Sequence, residues 1–446
     1  MKVGVVGLGF VGLSLSVVLA YKGYEVIGID INEEKVRTIK NGRAPFYEEN
    51  LEELLSKVIN SRLVVSTDYG LLRNTNLVFI CVDTPTNPDG SQNQSHIINA
   101  IKGLAKTWRN ASEYKVMIVK STVVPGTTRK LAYILSKESG LNLGTELGVA
   151  VNPEFLREGK AIHDILYPSR VIIGCIDEKT CNTVTSFWKE FYKRVGINPP
   201  ILSMSLDEAE LTKYASNAFL AMKVSFANTI ANICEKIPNC DVIKVLQAVG
   251  LDPRIGKEYL RPGLGYGGPC LPKDLKALIY FSRKVDYKPI LLEAVDEVNE
   301  KQPIKAIEYL IKEYGSLKGK TIGILGLAFK PGTDDLRNAV SIKIIKELIK
   351  LYAKVKVHDP KALEQAKRIL GDSVIYCKDP LETIKDCDGV IIVTEWDIYK
   401  SIKPEDFKKL MKRPIVIDGR RLYDPQKFIN NGIKIYAIGY GAIKSP

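Results

Sequence analysis

Over the first 200 residues, short apolar, β-branched runs alternate with amphipathic stretches. KVGVVG, EVIGID, LVFICVD, KVMIVKS, LGVAVNP and RVIIGC are each bounded by turn residues and read as strands. Helical stretches fall between them, an alternation that predicts parallel βαβ units and a doubly wound sheet. From about 201 to 302 the pattern changes. DEAELTKYASNAFLAMKVSFANTIANICEKI, residues 207–237, is a long run without Pro or Gly, with apolar residues at helical spacing. Asp207 with Glu210 three residues on resembles a capping box at its start. At 319 the first pattern returns: KTIGILGLAFK, VKVHDP, GVIIVTEW and PIVIDG read as further strands. The expected fold is α/β, with two Rossmann-like doubly wound parallel-sheet domains joined by a long central helical connector. The expected boundaries are 1–200, 201–302 and 303–446.

Length and composition agree with this division. A chain of 446 residues holds two or three domains, and 45% hydrophobic with 26% charged residues is ordinary for a globular protein. The net charge of +13 leaves nucleic acid, anionic membranes and phosphorylated small molecules open as partners. The lysines are scattered, usually beside glutamates, as in INEEKVRTIK. No dense basic block interleaved with aromatics occurs, which argues against nucleic acid. The apolar N-terminal run carries Gly4, Gly7, Gly9 and Gly12. It divides into a strand, a turn and a buried helix better than it reads as a signal peptide. No other stretch is apolar enough for a bilayer. The 8 cysteines show no C-x-x-C pair, and a disulfide framework is not expected in so large a chain, so the reading is a reducing, cytoplasmic compartment. Three histidines, none paired at helical spacing, argue against a metal site.

Two stretches carry candidate chemistry. GLGFVG at 7–12 follows a strand, opens a helix and precedes a second strand that ends in Asp30. Gly7 permits the tight turn, Gly9 lets the backbone approach a pyrophosphate, and Gly12 lets the helix pack on the sheet. The helix N-terminus offers amide donors to phosphates. Asp30 would accept both ribose hydroxyls and repel a 2′-phosphate, which favours NAD over NADP. PGLGYGGPCLPKD at 262–274 presents Cys270 from a loop that reads as flexible and exposed. Pro272 suits a first helical turn, so the thiol is expected at a helix N-terminus beside Lys273, a setting that stabilises a thiolate. Asp274 lies one turn on, within reach of whatever the thiol attacks. On the long helix Lys213 and Asn217 are four apart and could hold a developing alkoxide. NPEFLREG at 152–159 places Glu154 and Glu158 four apart and reads as a helix start.

In chain order, GLGFVG, VDTPT (82–86), KSTVVPGTT (120–128), NPEFLREGKAI, AELTKYASNAFLA, PGLGYGGPCLPKD, LGLAFKPGTDDLRNAVS and VIDGRR span nearly the whole sequence. Together they resemble the UDP-glucose 6-dehydrogenase branch of the UDP-glucose/GDP-mannose dehydrogenases. One departure is Pro269, where the family more often has a small hydroxyl residue; it removes a backbone donor beside Cys270. The resemblance implies oxidation of the sugar C6 alcohol to an acid with two NAD⁺, through a thiohemiacetal and a thioester on Cys270. It implies that Lys213 and Asn217 stabilise the oxyanion, that Asp274 aids proton transfer through a water positioned by Thr122, and that Glu154 serves thioester hydrolysis. The NAD side would comprise Gly7, Leu8, Gly9, Phe10, Val11, Gly12, Asp30, Lys35, Thr84, Thr86, Ser121, Thr122, Glu158, Lys273 and Arg337. The sugar nucleotide would meet Glu154, Phe155 and Leu156, then Lys213 and Asn217. It would also meet Tyr259, Leu260, Arg261, Gly263, Gly265 and Gly267, and finally Phe329, Lys330 and Arg420. Arg254 resembles the arginine that reaches a partner subunit's site, which implies at least a homodimer. The implied domain roles are NAD binding for 1–200, dimerisation with the cysteine loop for 201–302 and UDP-sugar binding for 303–446. LGYGG and LREG lean towards UDP-glucose. GDP-mannose or another UDP-sugar is the nearest alternative, and a 6-phosphogluconate-type dehydrogenase or an NAD-sensing module is more distant.

Overall fold

The computed structural model describes residues 1–441. The chain divides into two compact units, Met1–Ser216 and Asn217–Pro446. In the first unit the strands are β1 (Lys2–Val6), β2 (Glu25–Ile29), β3 (Leu63–Ser66), β4 (Leu77–Ile80), β5 (Lys115–Val119), β6 (Leu147–Val151), β7 (Val171–Cys175) and β8 (Ile201–Ser205). They form one sheet in the order β3-β2-β1-β4-β5-β6-β7-β8. Every residue of β4, β5 and β6 is buried, which is what a sheet covered by helices on both faces requires of its strands. The order reverses at β1, with β2 on one side and β4 on the other, both in parallel register. That switch point opens a crevice at the carboxyl ends of the strands, where such sheets take ligands.

The second unit carries β9 (Thr321–Leu325), β10 (Lys354–His358), β11 (Ile375–Tyr376), β12 (Gly389–Ile392), β13 (Ile415–Asp418) and β14 (Lys434–Ala437). Their order is β11-β10-β9-β12-β13-β14, all parallel. The fold is thus two parallel-sheet α/β domains, as expected, with one local exception. β7 runs antiparallel to β6, because the segment between them holds only the short helix Ala161–Leu166 rather than a full crossover.

Three expectations need correction. The long central helix spans Leu206–Cys234, and its capping box is Ser205 with Glu208: Glu208 Oε2 accepts the Ser205 amide at 2.8 Å and Ser205 Oγ accepts the Glu208 amide at 3.3 Å. Asp207 instead pairs with Arg129, and Glu210 accepts the amides of Gly126 and Thr128, both at 2.7 Å, at the start of the helix Thr127–Ser139. NPEFLREG is not helical; Glu154 Oε2 accepts the Leu156 amide at 2.6 Å and closes a turn there, and the helix begins at Ala161. Finally, two disulfides are present, Cys175–Cys181 and Cys234–Cys240, each with Cα atoms 5.4 Å apart. Weighing cysteine number against chain length missed the repeated C-x₅-C spacing. In each pair the chain leaves one element and turns tightly, which brings the two Cα atoms into bridging range. The inference to a reducing compartment rested on the absence of disulfides and falls with it. Among the described residues no helix is long and apolar enough to cross a membrane.

Candidate active site

The glycine turn joins β1 to the helix Phe10–Tyr21. Gly7 has φ +91°, and its amide donates to the Ile29 carbonyl at 2.7 Å, locking the turn onto β2. A Cβ on Gly12 would stand 1.8 Å from the Gly7 carbonyl oxygen, so helix and turn touch there. A Cβ on Gly9 would meet nothing within 4 Å. The space that glycine keeps open lies at a helix N-terminus with no acidic residue in its first turn, which suits a pyrophosphate. Asp30 is buried at the end of β2. Its Oδ2 accepts the Leu8 amide at 2.8 Å and Lys35 Nζ at 2.7 Å, and Oδ1 accepts the Asn32 amide at 3.0 Å. Lys35 is therefore held on the carboxylate that a ribose would use. Phe10 packs on Phe46 with ring centroids 5.6 Å apart, and Val11 is half-buried beside the core. These residues fit a dinucleotide.

Beyond β4 and β5, Ser121 Oγ donates to the Val82 carbonyl at 2.6 Å, and Thr84 Oγ1 donates to the Thr122 carbonyl at 2.9 Å. The same carbonyl accepts Gln92 Nε2 at 2.7 Å, which also meets the Tyr214 hydroxyl at 3.0 Å. Thr122 is thus fixed from two sides, and Thr86 is exposed in the bridge Thr86↔Gln92.

Glu154 is buried. Its Oε1 accepts Lys213 Nζ at 2.9 Å. Burial pushes this carboxyl up, but Lys213, the Leu156 amide and Lys120 outweigh burial and hold it below the usual carboxylate range. It is an ionised base at neutral pH. Phe155 packs under the Arg170 guanidinium, 4.2 Å from its ring centroid, with Lys213 Nζ at 5.3 Å. Glu158 is half-buried, next to a backbone pinned by Glu48, which accepts the Gly159 and Ala161 amides at 2.7 and 2.8 Å.

In the second unit Cys270 is the N-cap of the helix Leu271–Lys284, with Pro272 in its first turn. The Asp274 amide donates to the Cys270 carbonyl at 2.9 Å. Asp274 is 1% exposed, with Asn217 Nδ2 on Oδ2 and Lys273 Nζ on Oδ1, each at 2.6 Å. Carboxylate, amide and ammonium therefore form one cluster, one helical turn from the residue that carries the thiol. Lys213 and Asn217 share the continuous helix Leu206–Cys234.

The glycine loop before the thiol is neither flexible nor exposed: residues 262–268 are all buried. Asn228 accepts the Gly263 amide at 2.8 Å, Gln302 donates to the Gly263 carbonyl at 2.8 Å, and Asn299 bonds both the amide and the carbonyl of Tyr266. A Cβ would stand 2.9 Å from Asn299 at Gly265, 2.3 Å from the Asn338 carbonyl at Gly267 and 2.7 Å from the Phe329 ring at Gly268. These glycines permit close packing, and only Pro269 and Cys270 emerge, half-buried. Arg420 stacks on the loop, with Nε on the Val393 carbonyl at 2.6 Å and Nη1 on Gly265 O at 3.4 Å. Tyr259 has φ +64°; it and Leu260 are half-buried and Arg261 is exposed. Phe329 and Lys330 are half-buried, Arg337 pairs with Asp335, and the Arg254 side chain is 87% exposed and pairs with Asp252. Gln92, Asn152, Asn228, Asn299 and Lys120 were not singled out from sequence. Each is an uncharged or strand-end residue whose partners lie far along the chain.

Three family models match in order: the UDP-glucose/GDP-mannose dehydrogenase NAD binding domain over 1–193, the central domain over 207–301 and the UDP binding domain over 323–425. The UDP-glucose 6-dehydrogenase TuaD of Bacillus subtilis (strain 168) is 39% identical over 445 residues, covering 99% of this chain and 94% of that protein. The UDP-glucose 6-dehydrogenase AglM of Haloferax volcanii is 37% identical over 423 residues, covering 95% and 97%. Among solved structures, a UDP-glucose dehydrogenase from the hyperthermophilic archaeon Pyrobaculum islandicum superposes with a TM-score of 0.90 at 39% identity, covering 99% of this chain and 98% of that one. A UDP-D-ManNAc dehydrogenase from Pyrococcus horikoshii gives 0.87 at 27% identity, covering 99% and 100%.

Proposed function

The chain belongs to the UDP-glucose/GDP-mannose dehydrogenase family, and from that premise we propose that it oxidises C6 of UDP-glucose to the carboxylate with two NAD⁺. The observation that carries the reading is Cys270 at a helix N-terminus, one turn before an Asp274 that holds Asn217 and Lys273. The glycine turn and Asp30 would hold NAD⁺, which would supply the hydride acceptor for both oxidations. The alcohol first loses a hydride and a proton, with Lys213 and Asn217 holding the developing oxyanion. The Cys270 sulfur then attacks the aldehyde and forms a thiohemiacetal, so the half-oxidised sugar stays on the chain. Loss of a second hydride and a proton gives the thioester. Glu154, ionised beside Lys213, takes a proton from the attacking water, and the C–S bond breaks to return the thiol. Asp274 and Thr122 relay protons through water.

UDP-glucose is preferred over UDP-N-acetylmannosamine because identity is 39% to UDP-glucose enzymes and 27% to a UDP-D-ManNAc enzyme. The three family segments support a division into NAD-binding, central and UDP-sugar-binding parts. A homodimer is supported by Phe219, Phe226 and Ile233, exposed large apolar side chains seven residues apart on one helix face. Arg254 would then serve the partner's site.

The test is a panel of UDP- and GDP-sugars with NAD⁺. Limiting UDP-glucose should yield two NADH and one UDP-glucuronate. Cys270→Ser should accumulate an acyl adduct on residue 270, seen by intact and peptide mass spectrometry, because an alkoxide leaves more slowly than a thiolate. Cys270→Ala should carry no adduct. One NADH per sugar with free aldehyde, or an unmodified serine variant with normal turnover, overturns the covalent route.

A further inference from the structure

Lys120 directly follows β5 and Asn152 directly follows β6. The two strands are parallel neighbours, with Val119 opposite Val151. Both side chains therefore leave the sheet side by side at its carboxyl edge. Lys120 is 6% exposed. Its Nζ donates to Asn152 Oδ1 at 3.0 Å and to the Asn152 carbonyl at 3.4 Å, and it lies 5.4 Å from the centre of the Trp188 ring. Among the described residues no carboxylate is ion-paired with it. Buried ammonium groups ordinarily have a carboxylate, whereas this one is held by a neutral amide and an aromatic face.

Asn152 is itself anchored. Its amide donates to the Val119 carbonyl at 2.8 Å and its Nδ2 to the Ile172 carbonyl at 2.7 Å. Two residues on stands Glu154, and Pro153 between them removes one backbone freedom. The charged and titratable groups that Lys120 feels within this unit are Cys81, Glu154 and Lys213. Glu154 is so far paired with Lys213. Yet the proposed reaction asks Lys213 to give its charge to the substrate oxygen. At that moment Glu154 needs another source of positive field.

We infer that Lys120 is a positioning residue: through Asn152 it fixes the segment that carries Glu154, and its charge, ion-paired with no carboxylate, helps keep Glu154 ionised while Lys213 turns to the substrate. This rests on the roles given above to Glu154 and Lys213. Burial pushes the Lys120 ammonium down to about 8, against Cys81 and Glu154, so it is still charged at neutral pH. Its charge is among the causes that hold Glu154 low.

The experiment compares the wild type, Lys120→Met and Lys120→Arg, using NADH production from UDP-glucose between pH 3.5 and 9. Lys120→Met should lower kcat about tenfold while both KM values stay within about twofold. The acid limb of its kcat profile should move up by about half a pH unit or more, because Glu154 has lost a neighbouring positive charge. Lys120→Arg should recover most of kcat and return the limb towards the wild-type position. An acid limb that does not move, or an arginine variant as impaired as the methionine one, overturns the inference and leaves Lys120 as packing. Should Lys120→Met fail to fold by circular dichroism, Asn152→Asp offsets the same charge without removing the side chain, and its limb must also move up; an unmoved limb there overturns the inference. A wild type that makes no NADH from any sugar nucleotide overturns the underlying reading as well. A wild type that makes NADH while the variants match it overturns the inference alone.

Discussion

The chain builds the same strand–glycine–aspartate device twice, and only one copy is left open. In the first unit Gly7, φ +91°, donates to the last residue of β2, and Asp30 just beyond it accepts the Leu8 amide at 2.8 Å. In the second unit Gly326, φ +97°, donates to the last residue of β10 at 2.9 Å, and Asp359 accepts the amides of Leu327 and Ala328 at 2.7 and 3.0 Å. The difference lies in what else the carboxylate holds. Asp30 has the Asn32 amide and Lys35, a half-buried side chain that can swing away. Asp359 is also bonded by the Trp396 indole at 3.0 Å and by the amides of Lys361 and Ala362, both at 2.9 Å. The open position Gly9 is matched by Ala328, which is buried, its carbonyl taken by Thr394. The local motif closes a sheet edge in both units. Ligand capacity comes from donors and space left unused, so a glycine turn argues for a dinucleotide only when its surroundings are known.

Glycine substitutions give the largest effect. Gly12→Ala drives a Cβ into the Gly7 carbonyl and should cost the first unit about 3 kcal/mol or more in thermal or urea unfolding. Gly9→Ala should leave that stability within about 0.5 kcal/mol yet weaken NAD⁺ in titration calorimetry, because the open space there is the ligand's. Equal stability losses at both positions would mean that the first turn is as closed as the second.

Glu210 gives the next effect. It is a carboxylate the first unit uses internally, as Asp359 is in the second. Burial outweighs its two helix-start amides and raises it to about 7. Folding then favours its protonated form, so the contribution is full below the ordinary pKa near 4.5 and is lost as pH rises towards 7. The first unit should lose about 3 kcal/mol across that window. Glu210→Gln should flatten the profile, and an unchanged slope in the variant would assign it to other groups.

The two aspartates separate next. Asp30→Ser should raise the Kd for NAD⁺ by about one to two orders of magnitude, from the loss of a charge-assisted hydrogen bond worth about 1.5–3 kcal/mol, and improve NADP⁺. Asp359→Ser should leave the Kd unchanged and lower the melting temperature of the second unit instead. The comparison fails if the two variants exchange these phenotypes.

Legibility followed where the partners lie. β1, β5 and β6 are five-residue strands with four or five consecutive apolar residues and could be read directly. β11 has two residues and β8, ILSMS, has serine or methionine at three of its five positions, so neither carries a period-two or continuous apolar signal. Cys270 could be placed at a helix start because Pro272 marks the first turn locally. The burial of its loop could not, since Asn299 and Asn338, which hold it, stand 33 and 70 residues from their partners. Lys120 looks like a strand-end solvent lysine until Asn152 is set beside it by the pairing of β5 with β6.

The smallest effect tests whether the two units are stapled alike. Each carries one disulfide with a sequence separation of 6. In the first unit it ties the end of β7 to the helix Glu178–Val195, whose Phe187, Trp188 and Phe191 lie in the core. In the second it ties the end of the long helix to Cys240, whose carbonyl accepts the Gly441 amide at 2.8 Å. If stabilisation comes from restricting the unfolded chain, loop length alone sets it, and each bridge contributes about 2 kcal/mol. Cys181→Ser and Cys240→Ser should then lower the transition of their own unit equally, within about 1 kcal/mol, in scanning calorimetry under oxidising conditions, and added reductant should bring the wild type down to both. A larger loss in the first unit would mean that the bridge also holds the aromatic helix against its sheet, so that native contacts and not chain entropy distinguish the units. A variant as stable as the oxidised wild type would mean that its bridge contributes nothing.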